Sequence, residues 1–209
     1  MKLSQTAIVA GLAGGTAALA AFFMTAGADN DKARPITSAM ETAIFAGGCF
    51  WCVESDFDKV DGVLETISGY TGGNTTNPTY KSHTRDGHLE AVKIIYDPAK
   101  VEYDELVSYF LRHIDPTDDG GQFCDRGNSY TTAVFVADAE ERAVVEQEIA
   151  EITESGILPG AVVTKVRDQV AFYNAENYHQ DYYKKNPVRY KFYREGCRRD
   201  ARVKEVWGN

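Results

Sequence analysis

The sequence predicts an α+β protein in which helices pack on one mixed β-sheet as a two-layer sandwich. Two observations support this fold class. Short apolar or alternating segments, which indicate strands, are interspersed with longer segments whose apolar residues recur at helical spacing. The segments follow the order strand, helix, two strands, helix, strand, helix and strand, which is close to the split βαβ, or ferredoxin-like, arrangement.

The predicted strands are runs of apolar and β-branched residues bounded by turn residues. They cover residues 43–46, 62–70, 88–96, 131–136 and 162–171. The predicted helices follow Gly48 and cover residues 103–113, 139–155 and 176–185. Asp138 precedes Glu141 by three residues, which is typical of a capped helix start. A long polar loop is expected over residues 117–129, and a long irregular C-terminal tail after Pro187.

Size and charge limit the functional classes. The 209 residues suffice for a leader segment and one domain with a sizeable core. The net charge of -9 provides no basic surface, so a nucleic-acid partner is not expected. Cysteines are too few and too scattered for a small disulfide scaffold.

The N-terminus has the composition of a targeting segment. Lys2 precedes an uncharged run that ends in Ala26-Gly27-Ala28, a small-x-small pattern typical of a signal peptidase site. Residues 1–28 are therefore expected to be a signal peptide, or a membrane anchor if they are not cleaved. Residues 29–40 are the linker, and residues 41–209 form the functional domain. We expect export, with that domain periplasmic or membrane-anchored and facing outside the cytoplasm.

The stretch Gly47-Gly48-Cys49-Phe50-Trp51-Cys52 is the strongest candidate for a functional site. It predicts a strand, a glycine turn and a helix, with Cys49 in the first helical turn. Free backbone N–H groups and the helix dipole favour an anion there, so we expect a depressed pKa for Cys49. Cys52 lies three residues on along the same face. Phe50 and Trp51 could wall a small apolar pocket.

Plainer interpretations exist for each of these residues. A Cys-x-x-Cys pattern also fits half of a zinc site, a structural disulfide or two buried thiols. No second close pair of cysteines or histidines occurs, so a four-ligand zinc site is not indicated. Glu90 would have a raised pKa if it faced the core, but a strand glutamate is more often solvent-facing. Tyr80 and Tyr130 could be half-buried aromatic residues that close loops.

Several motifs together resemble one enzyme family. The stretch Gly47–Glu54 resembles the signature of the A-type peptide methionine sulfoxide reductases. Further matching motifs occur in the same order, and they are Gly69-Tyr70-Thr71-Gly72-Gly73, Asn77-Pro78-Thr79-Tyr80, Gly87-His88-Leu89-Glu90-Ala91-Val92, Asp125-Arg126-Gly127 with Tyr130, Tyr178-His179-Gln180 and Lys185-Asn186-Pro187. The resemblance covers about residues 42–186 and implies an α+β sandwich.

The resemblance implies a catalytic role for five residues. Cys49 matches the nucleophile that attacks the sulfoxide sulfur. Glu90 matches the acid that protonates the sulfoxide oxygen, which requires a raised pKa and a secluded site. Tyr80 and Tyr130 match the two hydroxyls that hold that oxygen. Asp125 matches a loop carboxylate beside the site.

The resemblance also implies the substrate and the reaction cycle. Phe50 and Trp51 match the aromatic wall that receives the methyl group of methionine S-sulfoxide, free or in oxidised proteins under repair. The oxygen moves to the nucleophile as a sulfenic acid, and a second thiol condenses with it to a disulfide. An external dithiol reductant, thioredoxin-like in chemistry, restores the thiols by exchange. No metal or organic cofactor is implied.

Two cysteines are candidates for the resolving thiol. Cys52 occupies a position that many family members fill with glycine. Cys197 lies in a tail that lacks the glycine-rich arm of some members, among arginines that favour a thiolate. We expect Cys52 to form the first disulfide with Cys49 and Cys197 to act as a second relay. Cys124, beside Asp125, is expected to be a bystander.

Two rival functions remain at this point. A thiol–disulfide oxidoreductase would use Cys49 and Cys52 in direct exchange, and would not depend on Glu90, Tyr80 or Tyr130. An exported binding domain would use its cysteines for a structural disulfide, and would present two inert, buried sulfurs.

Overall fold

A curled six-stranded β-sheet organises residues 39–208, the part of the chain that the computed structural model describes. The sheet contains β1 (Glu41–Gly47), β2 (Val63–Thr71), β3 (Leu89–Tyr96), β6 (Thr132–Val136), β7 (Lys165–Asp168) and β8 (Phe172–Asn174). A separate two-stranded sheet pairs β4 (Gly121–Gln122) with β5 (Asp125–Arg126). The helices are α1 (Phe50–Phe57), α2 (Tyr103–Arg112), α3 (Ala139–Ser155), α4 (Tyr182–Lys185), α5 (Pro187–Gly196) and α6 (Arg199–Trp207).

The strand order β7-β6-β1-β3-β2-β8 contains a split βαβ unit. The chain passes from β1 through α1 to β2, and β3 lies between those two strands and pairs antiparallel with both. β6 pairs antiparallel with the other side of β1, and β7 joins β6 in parallel. The predicted fold class, α+β with a mixed sheet and packed helices, is therefore confirmed.

The main core lies between the sheet and its helices. Ala43 and Phe45 of β1 face this core, where Phe45 stacks on Phe57 of α1 and Phe110 of α2. Ile44 and Ala46 of the same strand face a second apolar cluster. Burial on both faces explains why the strand is a continuous apolar run in the sequence.

The prediction of one strand over residues 162–171 is wrong. β7 and β8 lie at opposite edges of the sheet and are joined only by residues 169–171. In a flat sheet these edges would be about 24 Å apart, five spacings of roughly 4.8 Å. The chain from Asp168 to Phe172 spans at most about 14 Å. The sheet must therefore curl, and Arg167 Nη2 bridges the edges with a 2.9 Å hydrogen bond to the Gly72 carbonyl.

The prediction of a long irregular C-terminal tail is also wrong. Pro187 begins α5, a position for which its fixed φ and missing N–H are well suited, and α6 follows directly. Trp207 is 1% exposed in the core, and its indole N–H donates to the Ile114 carbonyl at 3.2 Å. Cys197 lies between these helices and forms a disulfide with Cys124. The predicted helix over 176–185 shortens to α4.

The predicted signal peptide or anchor over residues 1–28, and most of the linker over 29–40, lie outside the described residues. Within residues 39–208, none of the helices combines the length and apolar character that a membrane span requires.

Gly48 joins β1 to α1 at φ 81°, and a Cβ added there would lie 2.5 Å from the Cβ of Gln122. Gly48→Ala should therefore lower the free energy of unfolding by about 1–3 kcal/mol. Gly196→Ala is the matched control, because a Cβ at that position meets open space. Urea unfolding of both variants measures the difference, and equal stability of the two would contradict the steric argument.

Candidate active site

Most of the predicted site residues line one small cavity at the start of α1. Its volume is about 70 Å³. The lining residues are Cys49, Phe50, Trp51, Tyr80, Glu90, Asp125, Tyr130 and Tyr193. Tyr193 was not among the predicted residues, while Cys52 and Cys197 do not line the cavity.

Cys49 is the N-cap of α1, and its carbonyl accepts the Cys52 N–H at 3.1 Å. The glycine turn after β1 places this residue against the sheet, where it is only 6% exposed. Burial raises the pKa of the Cys49 thiol well above its usual range, and contact with Cys52 and Glu90 raises it further. The expected low pKa is therefore not found, because the thiol is desolvated and its side chain makes no capping hydrogen bond to the free N–H groups of α1.

Cys52 lies one turn along α1 and is 2% exposed. A hydrogen bond from the Cys49 thiol lowers the pKa of Cys52 to about 7, against the effect of burial, and Arg199 and Arg194 lower it as well. Of the two thiols, Cys52 is the one that ionises first in the resting protein.

Glu90 reaches the cavity from β3 and is 2% exposed. Its Oε2 accepts the backbone N–H of Phe50 at 3.0 Å, and its Oε1 lies 3.8 Å from His83 Nε2. Burial lowers the pKa of His83, so this histidine supplies no cation at neutral pH. Burial raises the pKa of Glu90 to about 8, although the Phe50 N–H opposes the shift. Glu90 is therefore protonated at neutral pH.

Tyr80 and Tyr130 present hydroxyl groups to the same cavity. Tyr80 is 39% exposed and is held by its backbone, whose N–H donates to Glu176 Oε1 at 3.0 Å. Tyr130 ends a short 3₁₀ helix, Asn128–Tyr130. Burial, together with the nearby Glu90 carboxyl, raises the pKa of both phenols. Both therefore remain hydroxyl donors at neutral pH.

The aromatic wall is held by stacking and by one hydrogen bond. Trp51 stacks on Tyr182 with ring centroids 3.7 Å apart. Its indole N–H donates to Nδ1 of the buried His179 at 3.0 Å. Phe50 packs at a tilt against Tyr70, at 5.8 Å between centroids. The two rings beside Cys49 thus have fixed orientations.

Asp125 and Tyr193 close the remaining side of the cavity. The Tyr193 hydroxyl donates a hydrogen bond to Asp125 Oδ2. Burial raises the pKa of Asp125, while Tyr193 and Arg199 partly oppose the shift. Sequence reasoning missed Tyr193 because it treated Pro187 as a helix stop. Proline is also common at the first position of a helix, and a helix that starts at Pro187 places Tyr190 and Tyr193 on one face. That signal would have indicated Tyr193 as a candidate.

Comparison with known proteins identifies the family. The family model described as peptide methionine sulfoxide reductase matches residues 41–209. The chain belongs to the peptide methionine sulfoxide reductase family. The reductase MsrA 2 of Rhizobium meliloti is 52% identical over 167 residues, which are 80% of this chain and 83% of the relative. The reductase MsrA of Ligilactobacillus salivarius is 51% identical, over 78% of this chain and 95% of the relative.

Solved structures of the family share the fold. Methionine sulfoxide reductase A of Corynebacterium diphtheriae matches with a TM-score of 0.63 and 32% identity, over 75% of this chain and 78% of that one. Reduced Mxr1 of Saccharomyces cerevisiae matches with a TM-score of 0.66 and 26% identity, over 71% of this chain and 87% of that one. The family resemblance of the sequence motifs is thereby confirmed.

Membership of the A type defines the activity. The protein is a peptide-methionine (S)-S-oxide reductase, an oxidoreductase that repairs oxidised methionine in proteins. The rival function of a general thiol–disulfide oxidoreductase is not favoured by these relatives.

Glu90 should titrate with a pKa of about 8 in the folded reductase, because its carboxyl is desolvated. The family resemblance implies that protonated Glu90 is the acid, and on that basis the rate of sulfoxide reduction should fall as the pH rises through about 8. Carboxyl ¹³C NMR resolves the titration when compared with Glu90→Gln. A Glu90 resonance that titrates near 4.5, the ordinary value, would contradict this assignment.

Proposed function

We propose that Cys49 is the nucleophile and Glu90 the proton donor of this reductase. The observation that supports both roles is the hydrogen bond from the Phe50 N–H to Glu90 Oε2, which places a protonated carboxyl beside the thiol at the start of α1. A sulfoxide oxygen is a poor leaving group until it is protonated, and a neutral carboxylic acid supplies that proton.

In the proposed complex the methyl group of the substrate lies against Phe50 and Trp51, and the sulfoxide oxygen lies toward Glu90, Tyr80 and Tyr130. The cavity, about 70 Å³, suits the end of a methionine side chain. The exposed edge of Tyr80 leaves room for the rest of a peptide. Free methionine sulfoxide and oxidised residues in proteins are both accommodated.

The chemical step transfers one oxygen atom. The Cys49 sulfur attacks the substrate sulfur while Glu90 protonates the oxygen. The sulfur–oxygen bond of the substrate breaks as the hydroxyl passes to the Cys49 sulfur, methionine leaves with the electron pair of the broken sulfur–sulfur bond, and Cys49 becomes a sulfenic acid. A second thiol then condenses with this sulfenic acid, releasing water and forming a disulfide.

We assign the resolving role to Cys52. Within residues 39–208 the free cysteines are Cys49 and Cys52, and the latter has a pKa of about 7. Cys197 is already bonded to Cys124, so it acts only after that disulfide has been reduced. A relay through Cys197 remains the second candidate for the later steps of the cycle.

An external dithiol reductant completes the cycle by thiol–disulfide exchange. A thioredoxin-like protein has the required chemistry. Electrons pass from its two thiols to the enzyme disulfide, and the reductant leaves as a disulfide.

Export remains a proposal that rests on the N-terminal sequence. A compartment outside the cytoplasm would also favour the Cys124–Cys197 disulfide. Cell fractionation with N-terminal sequencing of the mature protein tests both the location and the cleavage after residue 28. Full-length protein confined to the cytoplasm would refute export.

Cys49→Ser should abolish formation of methionine from the S epimer of methionine sulfoxide, because oxygen has too little nucleophilicity to replace the thiol. The wild type should reduce the S epimer and not the R epimer. Chiral chromatography of the products measures both. Retained turnover in Cys49→Ser would exclude Cys49 as the nucleophile.

One equivalent of sulfoxide without reductant should produce a Cys49–Cys52 disulfide in the wild type. Mass mapping of the peptides detects it. The double variant Cys124→Ser/Cys197→Ser is the control and should form the same bond. A dominant Cys49–Cys197 bond that persists in Cys52→Ala would reverse the order of the cysteines.

A further inference from the structure

The proposed role of Cys49 requires an acceptor for its thiol proton. Burial keeps the Cys49 thiol protonated in the resting protein. Glu90 is itself protonated and donates to the substrate, so it cannot also take the thiol proton. Cys52 accepts the proton only while it is ionised, and with a pKa of about 7 it is protonated in about half of the molecules at neutral pH. A second base within reach of Cys49 must serve the other molecules.

We propose that Tyr193 is a further catalytic residue, which passes the thiol proton of Cys49 to the carboxylate of Asp125 during the attack. The inference rests on the proposed function of Cys49 as the nucleophile. Tyr193 comes from the C-terminal helix α5, and Asp125 comes from the polar loop before the 3₁₀ helix.

The geometry supports a continuous path. The Tyr193 hydroxyl donates to Asp125 Oδ2. It also lies close enough to the Cys49 sulfur to interact with it, and this interaction lowers the pKa of Cys49 and raises that of Tyr193. A phenol has one proton and accepting lone pairs. When that proton points to Asp125, the phenol oxygen can accept the thiol proton. All three side chains line the same cavity.

Asp125 has the properties of a base for this step. Its carboxyl is partly buried, and desolvation raises its pKa above that of an exposed aspartate. Tyr193 of α5 and Arg199 of α6 face it and lower its pKa. The Glu90 carboxyl and the phenols of Tyr80 and Tyr130 also face Asp125. The groups that face Cys49 are Cys52, Glu90, Tyr193 and the same two phenols.

The proton transfer is balanced. The Cys49 S–H bond breaks as its sulfur attacks the substrate sulfur, and its proton moves to the Tyr193 oxygen. The former Tyr193 proton moves to Asp125. Glu90 gives its own proton to the sulfoxide oxygen, and the bond between that oxygen and the substrate sulfur breaks as the hydroxyl passes to Cys49. Methionine leaves and Cys49 is a sulfenic acid. Transfer of the Asp125 proton to Glu90 then restores the starting protonation of both carboxyls.

Neighbouring contacts hold the path in place. Cys124, which precedes Asp125, is disulfide-bonded to Cys197, with Cα atoms 5.0 Å apart. The Cys197 N–H donates to the Tyr193 carbonyl at 2.9 Å. The Tyr193 ring also packs edge-on against Trp51 at 5.8 Å between centroids. These contacts fix the loop and the helix that supply the two partners.

The test compares Tyr193→Phe with Tyr96→Phe. Both variants lose a tyrosine–carboxylate hydrogen bond, since Tyr96 donates to Glu41 at 2.9 Å at the far end of β3 from Glu90. All variants are made in a Cys52→Ala background, which removes the alternative acceptor, and the measured quantity is the rate of methionine formation in a single turnover without reductant. In this background at pH 7, Tyr193→Phe should be slower than the form with wild-type Tyr193 by about tenfold to a hundredfold, and Tyr96→Phe should be unchanged.

Two further readouts separate proton transfer from a structural role. The rate ratio of wild type to Tyr193→Phe should shrink as the pH rises, because hydroxide from solvent can then remove the Cys49 proton without Tyr193. Deprotonation of Glu90 slows both proteins equally, so it does not affect this ratio. Alkylation of Cys49 by iodoacetamide, in a Cys52→Ala background, should slow in Tyr193→Phe as well. Asp125→Asn should lower the single-turnover rate by a similar factor. The double variant Tyr193→Phe/Asp125→Asn should lose no more than either single variant, because both residues belong to one path.

A Tyr193→Phe rate within twofold of the wild type would overturn the proposal, and so would an equal loss in Tyr96→Phe. Additive losses in the double variant would also overturn it. Failure of Cys49 as the nucleophile is a separate result, because it appears as activity of Cys49→Ser.

Discussion

The hydrogen bond from the Phe50 N–H to Glu90 Oε2 is the interaction on which the site depends. It joins the first turn of α1 to β3, and both elements are aligned by β1, which precedes the turn and pairs with β3. One free N–H of a helix start thus holds a buried carboxyl beside the cysteine that caps the same helix. The sheet register determines that Glu90, and not a neighbouring residue, faces Cys49.

The C-terminal helix α6 also holds the active-site elements together. Arg199 of α6 is 2% exposed, and it donates to the carbonyls of Gly47 at 3.2 Å and His113 at 3.0 Å. It also lies 3.7 Å from Asp56 of α1. The guanidinium therefore ties the end of β1, the end of α2 and the helix of the two free cysteines together, while it favours the thiolate of Cys52.

Much of the fold could be predicted because local signals and tertiary structure agree. The helix start at Asp138 is an example, since its side chain accepts the N–H groups of Glu140 and Glu141 as its sequence position suggests. The strand and glycine turn before Cys49 are another. The separation of β7 from β8 could not be predicted, because sheet curvature is a property of all six strands and not of the ten residues concerned.

The site was predictable to the extent that its residues lie in motifs. Cys49, Glu90, Tyr80, Tyr130, Asp125, Phe50 and Trp51 were identified that way, and the structure places them around one cavity. The low pKa expected of Cys49 is not found because burial, which a local pattern does not reveal, raises the pKa of the thiol, and the side chain does not cap α1. Tyr193 was missed because α5 was not predicted after Pro187, and because its contact with Asp125 joins residues 68 positions apart.

The contact between Arg199 and Gly47 has a consequence for the newly made chain. The two residues are 152 positions apart, and ribosomes make the N-terminal partner first. Until α4, α5 and α6 have been synthesised and packed, the two cysteines lack the tyrosines that cover them, Tyr182, Tyr190 and Tyr193, and their thiols are exposed to water and oxidants. Correct maturation of the enzyme therefore requires the C-terminal helices to pack before the thiols of Cys49 and Cys52 are oxidised.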